Sequence, residues 1–261
     1  MILRILIPFL LLSSVLFAGN SFKSNVDVKF EAGLFLPDIS GDIANTTSTA
    51  KFDDDLGFSK ATASYFSLGV RLDYDYVPNF YVSYFNMRDK ADSTLSNAVT
   101  IASASYTGDI TSDIAYDTIN MIAYQDFVIK GSTKSLFGYR VFTGDIEFDI
   151  GLNVKNLNWR YDIATRPTIS QESFIQIKEF IFLPYFGFKY YWYNVIVLGD
   201  ISALSFNEAK ATSIQLAVDY RLVDGLYLSA GYLYERVKAV DKSDTITFDT
   251  QGYKFSFKYK F

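Results

Sequence analysis

Apolar and polar residues alternate along most of this chain. Near its end, Tyr253, Phe255, Phe257, Tyr259 and Phe261 are interleaved with Lys254, Ser256, Lys258 and Lys260. Successive side chains of a strand point to opposite faces, so this segment is aromatic on one side and mostly cationic on the other. Ile214, Leu216, Val218, Tyr220 and Leu222 alternate with Gln215, Ala217, Asp219 and Arg221, and Asp224 with Gly225 then supply a tight hairpin turn. Phe66 to Tyr74 and Val26 to Leu34 repeat the pattern, with the charges again on a single face.

Read this way, the sequence predicts ten strands, at about 26–36, 63–74, 80–90, 113–129, 146–162, 179–190, 195–206, 212–222, 226–237 and 250–261. Each reaches the ~9 to 11 residues that cross a bilayer when tilted. Short connections at 75–79, 191–194 and 223–225 alternate with longer ones at 37–62, 91–112, 163–178 and 238–249, and 207–211 is a shorter link on the long-loop side. Two stretches fit poorly. Residues 130–145 are too long for a turn and are expected to hold a short helix or a further strand, and Pro184 inside a strand predicts a bulge because it has no N–H for the ladder. Eight or twelve strands are the alternative counts.

The first eighteen residues differ in kind. Arg4 is their sole charge, Ile5 to Phe17 is almost wholly apolar, and Ala18 is small enough for a signal peptidase. The expectation is an export signal, residues 1–18, cleaved to leave one barrel domain, 19–261. As an uncleaved anchor, the run falls short of the ~18 or more residues of a spanning helix. No later segment is long and apolar enough for such a helix. The aromatic rows must then face either the core of a soluble sandwich or the lipid around a barrel.

Composition narrows the chemistry. The 261 residues contain no His and no Cys, which removes the commonest general base and metal ligand, thiolate sites, disulfides and acylation of a cysteine. A formal charge of -5 gives no electrostatic footprint for nucleic acid. Asp53, Asp54 and Asp55 are the sharpest acidic cluster but lack the converging ligands of a calcium loop, so they read as solvated loop acid. The charges of the alternating rows are expected to face a lumen: Asp27, Lys29, Glu31, Arg71, Asp73, Asp149, Lys155, Lys189, Asp200, Asp219, Arg221, Glu235, Lys254 and Lys258. Paired carboxyls among them would suit glycoside hydrolysis. Their mixed signs favour an internal ion-pair network, because an unpaired buried charge costs several kcal/mol. Neither a catalytic set nor a cofactor or metal site is expected. Trp159, Tyr161 and Tyr190 to Tyr193 lie near predicted strand ends and are expected in interfacial girdles.

The export signal, the alternation over the whole remaining chain and the terminal Tyr253–Phe261 row resemble bacterial outer-membrane β-barrels. The segment FDDDLGF, Phe52 to Phe58, together with the ring-rich second half, is similar to a small outer-membrane family of epsilonproteobacterial type. The resemblance implies a transmembrane antiparallel up-and-down barrel in the outer membrane of a Gram-negative cell, and no reaction. It further implies lipid as surroundings, and a barrel assembly machinery that reads Phe261 as its signal. Enzymes of this architecture depend on a His that this chain lacks. A ten-strand barrel is too narrow for a wide channel. The expected role is therefore structural or a narrow pore, with outer loops free for interaction. The alternatives are an outer-membrane lipid-modifying enzyme and a soluble periplasmic barrel for an apolar ligand.

Overall fold

The computed structural model describes residues 26–72, 76–136, 139–166, 171–206, 209–241 and 244–261. The expected export signal and Asp73 lie outside them. The strands are β1 (Val26–Ala44), β2 (Thr49–Lys51), β3 (Ala63–Leu72), β4 (Asn79–Ile101), β5 (Ala104–Ile129), β6 (Thr133–Leu136), β7 (Tyr139–Phe142), β8 (Asp145–Thr165), β9 (Glu172–Trp192), β10 (Val195–Phe206), β11 (Ala209–Val223), β12 (Leu226–Asp241) and β13 (Asp244–Lys260). Ten of them form an antiparallel ring in the order β1, β3, β4, β5, β8, β9, β10, β11, β12, β13. The ring closes where β13 returns to β1, with Glu31 opposite Lys258, Gly33 opposite Ser256 and Leu36 opposite Tyr253. Closure leaves no long free edge, which a strand in hydrocarbon cannot tolerate.

The turns at 193–194 and 224–225 and both ends of the described ring lie at one end, the turn end. The Phe261 N–H donates to the Val28 carbonyl there at 2.9 Å. Gly225 closes the β11–β12 turn at φ 77°, a conformation that favours glycine. At the far end β4 and β5 are joined only by Ala102 and Ser103, both at positive φ (51° and 67°), as in a two-residue hairpin whose twist matches its strands.

Four expectations change here. Residues 91–112 are not a loop but the upper parts of β4 and β5, and β8, β9, β12 and β13 likewise extend into the expected loops at 163–178 and 238–249. At ~3.4 Å per residue, the 26 residues of β5 far exceed what a bilayer requires. Residues 130–145 hold neither a helix nor a ring strand but the β6–β7 hairpin, a separate two-stranded sheet. Pro184 causes no bulge, since it pairs in register with Leu152 of β8. On its other side the ladder to β10 begins only at Tyr185, so the missing N–H falls where no partner strand requires it.

The charges do not keep to a single face along the whole of each strand. On β13 the outward residues near the turn end are Tyr253, Phe255, Phe257 and Tyr259, whereas Ile246 and Phe248, buried near the far end, have the opposite parity. β8 exposes Ile150 and Leu152 near the turns and buries Leu157, Trp159, Tyr161 and Ile163 further up; β5 exposes Ile119 and Met121 and buries Ile110, Ile114 and Tyr116. In the lower storey the wall is apolar outside and polar inside. In the upper storey the order is reversed, and the outer face carries ion pairs such as Arg88–Asp117 (2.6 Å) and Arg236–Asp249 (2.7 Å). A wall in lipid must show hydrocarbon outward, while a wall in water must bury it.

The upper storey is closed by unlike pieces. β3 stops at Ala63, and the gap above it is filled by residues 45–62. This segment runs along β1 through bonds such as Ile39 N–H to Ser59 O (2.9 Å) and holds β4 through Ser93 Oγ donating to Asp55 O (2.8 Å). Its Ala50, Phe52, Leu56 and Phe58 are fully buried. Opposite, above the short β10–β11 hairpin, β9 and β12 touch directly.

Candidate functional site

The inward face of the lower storey carries three ion clusters. At the seam, the Glu31 carboxylate lies 3.0 Å from Lys254 Nζ and 3.9 Å from Lys258 Nζ, and accepts from Ser256 (2.5 Å) and Ser67 (3.2 Å). Lys254 also donates to Gln215 Oε1 at 3.1 Å and lies 3.9 Å over the Tyr65 ring. Next to it, Asp219 takes Lys258 at 2.6 Å and Lys29 at 3.5 Å. Across the lumen Lys189 bridges Glu147 (2.5 Å) and Asp149 (2.7 Å), and Arg71 joins Glu147 (3.2 Å) and Asp126. Tyr191 donates to Glu147 at 2.9 Å and Asn79 to Asp126 at 2.7 Å. The third cluster is Lys155 with Glu235, 2.7 Å apart and both buried, where Tyr116 also donates to Glu235 at 2.9 Å.

Most of the charges singled out in the sequence therefore sit in this lumen, with particular departures. Asp27 pairs with Lys260 at 2.6 Å, at the half-exposed rim, and not with Lys254 or Lys258. Arg221 lines the chamber near its mouth, where it donates to Asn194 Oδ1 (2.8 Å) and enters no ion pair among the described residues. Asp200 lines the lumen without an ion pair or hydrogen bond among the described residues. Asp126 and Glu147, which sequence reading passes over, join the network; each stands two residues from another inward-facing side chain, Tyr124 and Asp149. Phe261 is exposed at the rim, with its ring edge-on to Tyr259 at 4.7 Å.

Trp159 and Tyr161 are not in an interfacial girdle. They stack inside the upper storey at 6.1 Å, with Phe52 edge-on to both at 6.2 and 6.0 Å. The parity of Leu157, Trp159 and Tyr161, which continues that of inward Lys155, is the sequence signal for this position. Trp192 and Tyr193 do stand exposed at the turn end. Asp53 and Asp54 face solvent, and Lys51 binds both the Asp54 carboxylate (3.0 Å) and, through its backbone N–H, that of Asp55 (2.8 Å). No cluster among the described residues is arranged to hold a metal ion.

Between the ion clusters lies a chamber of about 430 Å³. Its mouth, with Asp27, Arg71, Asn194 and Lys260, is at the turn end, and its floor includes Ser83, Asn120, Asn153, Ser202 and Ser213. Above the floor the interior is packed apolar side chain, with a void of about 10 Å³ among Tyr116, Trp159, Val237 and Phe248. The lumen is thus blind.

No protein-family model and no curated protein sequence matches this chain. Among solved structures it is similar to Neisserial surface protein A, at 14% identity over 91% of this chain and 98% of that one, TM-score 0.36. The translocator domain of the autotransporter NalP from Neisseria meningitidis gives 12% identity, coverage of 95% and 92%, and TM-score 0.46. Ail, the attachment invasion locus protein of Yersinia pestis, gives 6%, 87% and 97%, and 0.28.

Proposed function

We propose that this chain is an integral outer-membrane barrel that does not conduct, serving as a structural element that raises a charged outer storey above the lipid surface. The inversion of wall polarity part-way along the strands carries the reading. A soluble barrel has no use for the exposed Phe180, Phe182, Phe186, Phe255 and Phe257 of the lower storey, and an all-lipid barrel has none for the ion-paired outer face of the upper one. The leader at residues 1–18, removed after Ala18, delivers the chain for export. Lipid and a barrel assembly machinery that reads Phe261 are its partners, and the resemblance of the Phe52–Phe58 segment supports kinship with a small epsilonproteobacterial outer-membrane family. Of the structural and narrow-pore roles, the packed upper storey supports the structural one. The absence of His supports a non-enzymatic role.

The test is fractionation followed by planar-bilayer recording. The expected result is a heat-modifiable, β-rich protein in the outer-membrane fraction, with no steady current steps after reconstitution. A protein soluble without detergent overturns the membrane assignment, and large stable steps overturn the blind lumen.

A further inference from the structure

We propose that the blind chamber of the lower storey binds a small neutral saccharide, entering from the turn end, with Asp200 as its principal hydrogen-bond acceptor. This goes beyond the structural role, and it stands on the fold whichever membrane the barrel occupies.

Asp200 is the first observation. Glu31, Asp126, Glu147, Asp149 and Asp219 each hold a cation within 4.0 Å, yet Asp200, on the inner face of β10 and lining the chamber, holds none among the described residues. Its register neighbours supply no counter-charge: they are Gly187 on β9 and Gln215 on β11, whose Oε1 is engaged by Lys254. A Cβ at Gly187 would lie 2.8 Å from Tyr185 Oη and 3.0 Å from Asp149 Oδ2, so the glycine lets the Tyr185 and Asp149 side chains pack close against the wall beside Asp200.

The chamber floor is the second. Asn153 is 2% exposed, lines the chamber and has no partner for its Oδ1. Its Nδ2 reaches Asn120 Oδ1 at 3.4 Å and Ser202 Oγ at 3.3 Å, and Asn120 Nδ2 reaches Ser83 Oγ at 3.3 Å. These are long against the usual 2.9 to 3.0 Å. Buried amides normally find good partners, so among the described residues this floor has one unmet acceptor, Asn153 Oδ1, and amide donors only loosely engaged.

The chemistry of the occupant follows. Vicinal hydroxyls donate in pairs to a carboxylate, accept from amide N–H groups, and leave an aliphatic ring face to lie on an aromatic one; the Tyr124 and Tyr185 rings, 5.9 Å apart, border the same space. A cationic ligand would leave the amide donors of the floor unmet, and an anion would meet Asp200. A neutral polyhydroxylated ring meets neither penalty. About 430 Å³ lies within the range of small-molecule sites, which run from roughly 300 to 1,000 Å³.

The experiment uses the folded full barrel in an amine-oxide detergent, which avoids sugar headgroups, and saturation-transfer NMR with glucose, galactose, N-acetylglucosamine and maltose as probes. The expected result is saturable binding of at least one, lost on heat unfolding, about tenfold or more weaker in Asp200→Asn and in Tyr185→Leu, and unchanged in Asp53→Asn. Heat-modifiable gel mobility reports that each variant is folded, and two independent variants guard against failure of either. No saturable saccharide binding, equal affinity in folded Asp200→Asn, or tighter binding of tetramethylammonium than of every sugar overturns the proposal.

Discussion

Lys155 of β8 and Glu235 of β12 meet at 2.7 Å across the lumen, at the level where the wall changes polarity. Below Lys155 the inward side chains of β8 are Asn153, Asp149 and Glu147; above it are Leu157 and Trp159. Three strands separate the partners around the ring, so the pair ties opposite walls at the boundary of the two storeys.

Removing one member of that pair should leave a buried charge without its counter-ion. Lys155→Met alone is expected to destabilise the barrel by about 3 to 5 kcal/mol, and Lys155→Met with Glu235→Leu to recover much of that loss. Denaturant unfolding in micelles measures both, and additive losses would contradict a coupled pair.

Phe52 fills the upper storey from the irregular segment 45–62 of its wall, packing against Trp159, Tyr161 and Phe248. Phe52→Ala is expected to cost about 3 to 5 kcal/mol and to weaken the near-ultraviolet signal of Trp159, whereas Asp53→Ala should fall within about 0.5 kcal/mol of the parent. Equal effects at the two neighbours would show that residues 45–62 do not close the interior.

The seam fixes one register. Cysteines at Ala32 and Phe257, which face each other across β1 and β13, should cross-link on mild oxidation, and cysteines at Ala32 and Tyr253 should not. Linking of the mismatched pair alone would place the closure at a different register.

Phe261 is more than half exposed at the rim, so its packing contribution should stay below the roughly 1.5 to 3 kcal/mol of a fully buried ring. Its deletion should therefore impair insertion in cells far more than it lowers stability after refolding in detergent. Equal effects in the two assays point to packing alone.

At the β6–β7 hairpin, the Gly131 N–H donates to the Asp145 carboxylate at 2.8 Å and Lys130 Nζ lies 3.1 Å away. Chiefly through the Gly131 bond, the Asp145 carboxyl is held below its ordinary range. A depressed carboxyl contributes above its unfolded value and loses that contribution as pH falls through the lowered one. The protection factor of the Gly131 amide, its exchange relative to the intrinsic rate at each pH, should fall only on that acid side, and Asp145→Asn should remove that fall.

The lower storey was legible because lipid enforces its pattern: the outward row from Tyr253 to Phe261 admits no polar interruption. The upper storey was hidden for physical reasons. Once the outer face meets water, the apolar parity reverses, and a reader following Phe255 and Phe257 backwards meets Phe248 on the opposite parity. The irregular pairing between Leu95 and Val99 and a turn made of Ala102 and Ser103, with neither Gly nor Asn, further disguise the β4–β5 hairpin as a loop. The seam charges were readable because first and last strands of a barrel must meet. The Lys155–Glu235 pair was not, since no spacing rule relates residues on opposite walls.

The tall outer storey also constrains how such a protein reaches its resting place. Arg88, Lys90, Asp113 and Arg160 end in water, but a hairpin entering from the side of the short turns must first carry them through hydrocarbon, at about 2 to 4 kcal/mol for each Arg or Lys at mid-depth. Those residues are satisfied at both terminals of the journey and at no point between. The toll falls on transit and not on the finished barrel, so a bilayer alone should admit this chain slowly, and once delivered the same charges should act as a ratchet against its return.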